Sequence, residues 1–341
     1  MSSDPGRAPD PHPDTDPGAD TGPDGGEGTL EPEPVEDGGY PVATGDRFFV
    51  VLNPQAGSED PAALRRRVAS AFADRDVPFD LFQAPSAAAA REAAARAARA
   101  GCRAVVAVGG DGTVAQALRG TAGTGVPVAI LPFGTGNQLA VNFGVPESLE
   151  GSVRTAVDGR VEEIDLGRAD GEIFALVAGA GLDAEVVGDA TAEMKSRLGF
   201  AAYLLSGLKH LVTPHPADFR IVADDREVEV RATMVLLANV GQLAAGTLPV
   251  ELRVGPRVSF RDGLVDVCVF APRSLPDMAQ MLWRVARREY AGDDRMLFLQ
   301  ARRVRVESDP PVPTQIDGEP AGRTPLEVEM VPRAGRILVP R

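Results

Sequence analysis

Cysteine, histidine and tryptophan are scarce: the 341-residue chain holds two Cys, three His and one Trp. Two isolated thiols, Cys102 and Cys268, exclude a disulfide framework and fit a reducing compartment. His12, His210 and His215 are too few and too scattered for a zinc cluster. No stretch reaches the roughly 18 consecutive apolar residues of a membrane span. The first residues lack the basic start and apolar run of a secretory signal. Long basic tracts are missing too, and the net charge is −14, which argues against a nucleic-acid partner. The chain has no G-x-x-x-x-G-K-[ST] and no G-x-G-x-x-G opening a first βαβ unit. A P-loop enzyme is thereby excluded and that type of dinucleotide fold disfavoured.

The acid is concentrated at one end. Residues 1–45 carry eleven acidic side chains against Arg7 alone, amid dense Pro and Gly. They show no apolar periodicity and cannot bury enough surface to offset their ordering entropy, so a disordered tail is expected. Without that tail the chain is only mildly acidic. Hydrophobic content is 44%, enough for a core, and the length allows two domains.

From residue 46 the pattern alternates. "RFFVVLNP" reads as a buried strand, and "PAALRRRVASAFADRDV" as a helix with apolar positions at Leu64, Val68 and Phe72. "PFDLFQA" is a second strand. "PSAAAAREAAARAARAG" is an Ala-rich helix with Ser86 at its start and Gly101 at its end. "CRAVVAVGG" and "VPVAILPFG" give two more strands, each followed by a helical stretch. The alternation predicts a doubly wound parallel sheet with helices on both faces over residues 46–160. Residues 161–341 read differently, with strand-like runs joined by Asp/Gly turns and two helical interruptions. A β-rich, sandwich-like second domain is expected, its C-terminal segment returning to the first. No internal repeat is present.

Three Gly-rich turns fall at predicted strand ends: "NPQAG" (53–57), "GGDGT" (109–113) and "FGTGN" (133–137). Ligands of parallel sheets sit at the carboxyl ends of strands. Gly lets the backbone approach a phosphate, and a following helix N-terminus adds positive partial charge. A single such turn is equally well explained by steric need; three on one edge point to phosphate binding. Asp111 lies inside the second loop. Its carboxylate repels a phosphate unless a divalent cation intervenes or an incoming hydroxyl gives it a proton. Both cases suit phosphoryl transfer.

The set of "GGDGT", "LPFGTGN", upstream "NPQAG" and late "QIDGEP" (315–320) resembles the diacylglycerol kinase catalytic family, which includes bacterial lipid kinases and sphingosine kinases. The resemblance runs over about residues 46–341, with "IDLGRADGEIFALVAGAGLDAEVV", "ANVGQLAAG" and "SFRDGLVDV" in order. It implies an ATP-dependent lipid kinase with Mg²⁺, acting on diacylglycerol or a related lipid alcohol. The implied nucleotide residues are Asn53, Gly57, Gly109, Gly110, Asp111, Gly112, Thr113, Gly134, Thr135, Gly136 and Asn137. The implied catalytic acids are Asp317 and Glu319 of the DGE motif, one of them the general base, with Asp111 on the phosphate–metal side. A structural magnesium site is implied at Ser259, Asp262 and Leu264. The family likeness further implies a cytoplasmic protein that meets the membrane surface transiently, and it leaves room for a homodimer.

Several positions depart from the family pattern. Ala115 and Gln116 stand where Asn and Glu are usual, and Gln138 where Asp is common. Ala244, Ala245 and Gly246 replace a Gly triplet. Two other readings therefore stay open: a NAD kinase-like enzyme, since GGDGT occurs there too, and a non-catalytic nucleotide or lipid sensor.

Other features have bland explanations. Asp317 and Glu319 around Gly318 also make an ordinary β-turn. The amphipathic stretch 194–211 is expected to pack in the core, the alternative being a lid bringing Lys195 or Arg197 to phosphate. Trp283 is expected to be buried beside solvated Arg284, Arg287 and Arg288; the alternative is a membrane-contact face.

Overall fold

A computed structural model describes residues 44–57, 60–181, 216–244, 251–253, 255, 258–290 and 292–341. Nearly all of the acidic N-terminal tail and the stretch 194–211 lie outside the described residues.

The first half alternates strand and helix. Its elements are β1 (Phe48–Leu52), α1 (Pro61–Ala73), β2 (Phe79–Gln83), α2 (Ala87–Arg99), β3 (Ala104–Gly109), α3 (Asp111–Thr121), β4 (Val128–Pro132), α4 (Gln138–Asn142) and α5 (Leu149–Asp158). β2, β1, β3 and β4 pair in that order, all parallel. β1, β3 and β4 are buried along their whole length, as strands covered on both faces must be. Helix starts follow local chemistry. The Asp60 carboxylate accepts from the Ala63 N–H with Pro61 next to it, and the Ser86 hydroxyl accepts from the Ala89 N–H. In α2, Ala89, Ala90, Ala93, Ala94, Ala97 and Ala98 form a buried small-residue stripe on which α3 packs closely.

The second half is mostly strand. It comprises β5 (Arg160–Ala169), β6 (Glu172–Phe174), β7 (Val177–Ala180), β8 (Ala217–Ala223), β9 (Arg226–Ala232), β10 (Met234–Ala238), β11 (Gln242–Ala244), β12 (Glu251–Arg253) and β13 (Val265–Phe270). After α6 (Leu275–Ala286) come β14 (Met296–Ala301), β15 (Arg303–Asp309), β16 (Pro313–Ile316), β17 (Glu319–Arg323) and β18 (Leu326–Val339). One sheet runs β14-β13-β10-β7-β16-β17 and is antiparallel throughout. The other continues the parallel sheet through β18, β15, β8 and β9. β8 alternates buried and exposed residues, the pattern of a strand with one wet face. The fold is thus the expected parallel sheet followed by a β-rich sandwich.

β18 joins the two halves. Its first residues pair with β15, and Ile337 pairs with Val128 of β4 in parallel. β5 runs antiparallel along β18, with an irregularity between Val331 and Gly335. β18 is therefore a strand of the same sheet as β1 to β4.

One expectation fails. Trp283 is 63% exposed rather than buried. Met278, Met281 and Val285 take the buried face of α6, so residue 283 falls on the outer face, where Arg287 lies over its ring at 5.8 Å.

Candidate active site

Because β1, β3 and β4 are parallel, the three Gly-rich loops share one sheet edge, and they are bonded to one another. The Asn53 amide donates to the Thr113 hydroxyl at 3.3 Å, while its Oδ1 accepts from the Gln55 N–H at 3.0 Å. Asn137, in the left-handed region at φ 43°, closes the third loop on itself. Its Oδ1 accepts from the Gly134 N–H at 2.9 Å and its Nδ2 donates to the Gly134 carbonyl at 2.8 Å. Gly110 and Gly134 meet backbone to backbone, since a Cβ on Gly134 would stand 2.3 Å from the Gly110 Cα.

Asp111 is the first residue of α3. Its Oδ1 accepts from the Leu139 N–H at 3.0 Å, and the Gln138 N–H also bonds to this carboxylate. It therefore ties the second loop to the start of α4. Burial pushes its carboxyl above the usual carboxylate range, and the charge of Asp317 adds to the rise. Two acids far apart in sequence thus sense each other across the fold. α3 itself starts without a side-chain cap. A Cβ on Gly112 would meet nothing within 4 Å. An uncapped helix start beside open space suits a phosphate oxygen. Gly57 and Thr135 are exposed on the same edge, and the Gly136 carbonyl accepts from the Gln138 side chain at 3.3 Å.

The DGE motif is the turn between β16 and β17. Asp317 and Gly318 both have positive φ, 49° and 85°, the type I′ geometry of a two-residue hairpin. The two acids have different surroundings. The Asp317 carboxylate accepts from the Ala175, Leu176 and Val177 N–H groups at 3.0, 2.8 and 3.2 Å. Burial pushes its carboxyl up, against the pull of these donors and of Arg119. The Glu319 side chain is 58% exposed. It edges a cleft of about 740 Å³ whose apolar lining includes Ala87, Ala95, Ile316 and Pro320.

Arg119, in the last turn of α3, reaches both acids. Its Nε donates to the Ile173 carbonyl at 2.7 Å, and its two terminal nitrogens lie 3.5 Å from Asp317 and 3.5 Å from Glu319.

A second acidic group lies behind. Asp165 is buried; it accepts from the Gly263 and Arg333 N–H groups at 2.7 and 2.8 Å. Asn239, also buried, donates to the Asp165 and Ala175 carbonyls at 2.9 and 3.1 Å. A hydrogen-bonded path thus runs from Asp165 to the segment that holds Asp317. Asp262 accepts from the Leu264 N–H at 3.1 Å, and the Ser259 hydroxyl from the Arg261 N–H at 3.2 Å. Burial pushes Asp266 up to about 6, and Asp262 adds to the rise. Gln300 reaches Asp262 and Asp266 at 3.5 and 3.4 Å. Two neighbouring carboxylates, Asp262 and Asp266, are hard oxygen donors of the kind a magnesium-sized cation takes. No group of three or more acidic, His or Cys side chains is arranged as a ready metal cage among the described residues.

Arg119, Asp165 and Asn239 escaped sequence reasoning. For the last two the signal was present: a polar residue inside the apolar runs "EIDLG" and "LLANVG". A last-turn arginine reads as an ordinary helix-end charge.

Comparison with known proteins places these motifs in context. The diacylglycerol kinase catalytic domain model matches residues 47–169, and a YegS C-terminal NAD kinase beta sandwich-like domain model matches residues 176–339. The chain is 32% identical to a diacylglycerol kinase of Mycobacterium tuberculosis, over 74% of this chain and 82% of that one. It is 26% identical to a diacylglycerol kinase of Bacillus subtilis, over 86% and 97%. It also matches an uncharacterized Synechocystis protein at 29% identity over 69% of this chain, spanning 54% of that protein's length. Crystal structures of a Bacillus anthracis str. Sterne protein, named as a diacylglycerol kinase, share the fold. Their TM-scores are 0.72 and 0.66 at 23% and 19% identity, covering 86% of this chain and 97% of that one.

Proposed function

We propose that this chain, which belongs to the diacylglycerol kinase catalytic family, transfers the γ-phosphoryl group of ATP to the hydroxyl of diacylglycerol or a related lipid. The observation that carries the reading is the contact between Arg119 and Glu319, 200 positions apart. It joins the last turn of the helix that begins in the GGDGT loop to the hairpin of the DGE acids, and at the loop end of that helix Asp111 feels the charge of Asp317.

In this reading residues 46–160 supply the nucleotide side and 161–341 the lipid side. Asn53, Gly57, residues 109–113 and residues 134–137 line the phosphates of ATP. The uncapped start of α3 takes phosphate oxygens, and Asp111 stands on the phosphate–metal side. Bound Mg²⁺ would supply charge neutralisation there. A second, structural Mg²⁺ would be held by Asp262 with the carbonyls of Ser259 and Leu264.

Of the DGE pair, Glu319 is the proton acceptor. The Asp317 carboxylate is committed to three backbone N–H groups and holds the hairpin in place. Glu319 is open to an incoming hydroxyl. The acceptor oxygen bonds to the γ-phosphorus as the bond to the β,γ-bridging oxygen breaks. That electron pair leaves with ADP, and the hydroxyl proton passes to Glu319. Positioning and charge neutralisation dominate such a transfer.

A lipid acceptor brings the protein to the bilayer surface from the cytoplasm. Among the described residues no helix is long and apolar enough to cross a membrane. The departures at Ala115, Gln116 and Gln138 motivate the sensor reading, and the GGDGT loop the NAD kinase reading. Incubation with γ-labelled ATP, a panel of lipid alcohols and NAD separates the three. Label in a lipid phosphate supports the kinase reading. Label in NADP alone, or in no product, contradicts it.

A further inference from the structure

We propose that the outer face of α6 is the surface by which the protein rests on an anionic bilayer, with Trp283 entering the headgroup region; the proposal rests on the reading of the acceptor as a membrane lipid. A surface helix ordinarily turns charged and polar side chains to water. Among the described residues of α6 the exposed ones are Pro276, Ala279, Gln280, Trp283 and Arg287. They follow the three-and-four spacing of one helix face, and none is acidic. Trp283 is 63% exposed.

Packing fixes this orientation. Met278, Met281 and Val285 face inward, in one apolar cluster with Leu236 and Cys268, whereas Leu237 and Val267 of the same strands belong to the sandwich interior. α6 therefore covers the face of the six-stranded sheet that the sandwich leaves open. It packs on β12, β12 pairs with β11, and β11 packs on α4, the helix after the FGTGN loop. The docking helix is thus tied to the third Gly-rich loop by packed elements, not by a linker.

The charge suits anionic headgroups. Arg287 lies over the Trp283 ring at 5.8 Å, and Arg288 follows it, exposed. The acids around the helix are engaged. Asp277 accepts from Arg295 at 2.8 Å and Asp293 from the same guanidinium at 2.7 Å. Asp294 accepts from Arg273 at 2.7 Å and Glu289 from Arg287 at 3.1 Å. The net charge of −14 is screened beyond about 8 Å at physiological salt, so the local face decides.

The size of the patch selects a bilayer over a second protein. One Trp ring offers at most about 150–250 Å², against the roughly 1,000 Å² of a specific protein interface. A membrane takes aromatic side chains one at a time, each ring at headgroup level, and an arginine beside the ring meets anionic phosphate.

Trp283 is the one tryptophan of the chain, so its fluorescence reads this face alone. The full chain is mixed, without ATP or diacylglycerol, with vesicles of phosphatidylcholine alone or of phosphatidylcholine with phosphatidylglycerol. Binding is followed by sedimentation and by tryptophan emission. As the protein sediments with the phosphatidylglycerol vesicles, emission should move to the blue and lose its quenching by acrylamide. Trp283→Ser should weaken vesicle partitioning by about tenfold to a hundredfold, the share of one large apolar side chain, with an unchanged melting temperature. The double change Arg287→Gln and Arg288→Gln should weaken it at least about fivefold, and pure phosphatidylcholine should bind less. Trp283→Ser should lose turnover on diacylglycerol in vesicles yet stay within about twofold of the parent on a water-soluble short-chain diacylglycerol.

Binding with emission unchanged would overturn the proposal, because another face then meets the lipid. Absence of binding, equal binding to both vesicle types, or undiminished partitioning of Trp283→Ser does the same. An emission shift that follows protein concentration without lipid would assign the face to a second copy and overturn it too. A parent protein that binds vesicles through Trp283 yet phosphorylates no lipid defeats the kinase reading and leaves the membrane face standing.

Discussion

Gly110 and Gly134 touch through their backbones: a Cβ on Gly134 would lie 2.3 Å from the Gly110 Cα. A side chain at Gly134 has no room against the second loop, whereas a Cβ on Gly110 would stand 3.1 Å from the Gly134 Cα, so Gly134 serves packing as well as any phosphate. Gly134→Ala should force the loops apart at a cost of about 1–3 kcal/mol and weaken nucleotide binding at least tenfold, about 1.4 kcal/mol. Gly112→Ala is the control, since a Cβ there meets nothing within 4 Å; its melting temperature should match the parent's. Thermal melts and titration with an ATP analogue check both.

The loops were legible in the sequence because glycine clusters after apolar runs are local signals. Which of those glycines contact each other was not, since Gly110 and Gly134 meet only once β3 and β4 are side by side. Strand–helix alternation likewise gave the parallel sheet directly. Trp283 was misjudged because Met278, Met281 and Val285 set the helix phase of α6, which puts residue 283 on the outer face. Arg119 stayed hidden for the opposite reason. Its partners, Ile173 on β6 and Asp317 and Glu319 on the β16–β17 hairpin, reach α3 only through tertiary packing.

Asp317→Asn should act on stability first. The substitution replaces a charged acceptor of three N–H groups and weakens each bond. A loss of about 1–3 kcal/mol follows from buried donors left poorly matched. Denaturant unfolding should show that loss. An unchanged midpoint would mean that the turn does not depend on this carboxylate.

Arg295 gives a pH-dependent test far from the site. Its hydrogen bond, and its charge, hold the Asp293 carboxyl down at about 2. The same guanidinium reaches Asp277 at 2.8 Å and Gln280 at 3.0 Å on α6. A lowered carboxylate contributes stability in full above its ordinary range and loses it as pH falls toward the folded value. Asp293→Asn should therefore melt lower than the parent at pH 7. The gap should close as pH is taken from about 4 toward 2. A gap that stays constant over that window would contradict the pairing.

Magnesium should stabilise the β-rich half through Asp262. Its neighbour Asp266 is pushed up to about 6 by burial, with the charge of Asp262 adding to the rise. A bound cation relieves such crowding. At a hundredfold excess over its dissociation constant it adds about 2.7 kcal/mol. Melting temperature should rise with millimolar magnesium and fall again with a chelator, and Asp262→Asn should abolish the response. An equal response in Asp262→Asn would place the cation elsewhere.

The central claim is that Glu319, not Asp317 or Asp111, takes the acceptor's proton. Turnover of Glu319→Gln with labelled ATP and diacylglycerol, measured beside ATP affinity and melting temperature, tests it most directly. The account predicts a fall in kcat of about 10²–10⁴ with ATP affinity and melting temperature unchanged, because the Glu319 side chain is 58% exposed and supports no packing. A kcat within about threefold of the parent, alongside an Asp111→Asn variant that binds ATP normally yet has no turnover, would contradict it and move the base to Asp111.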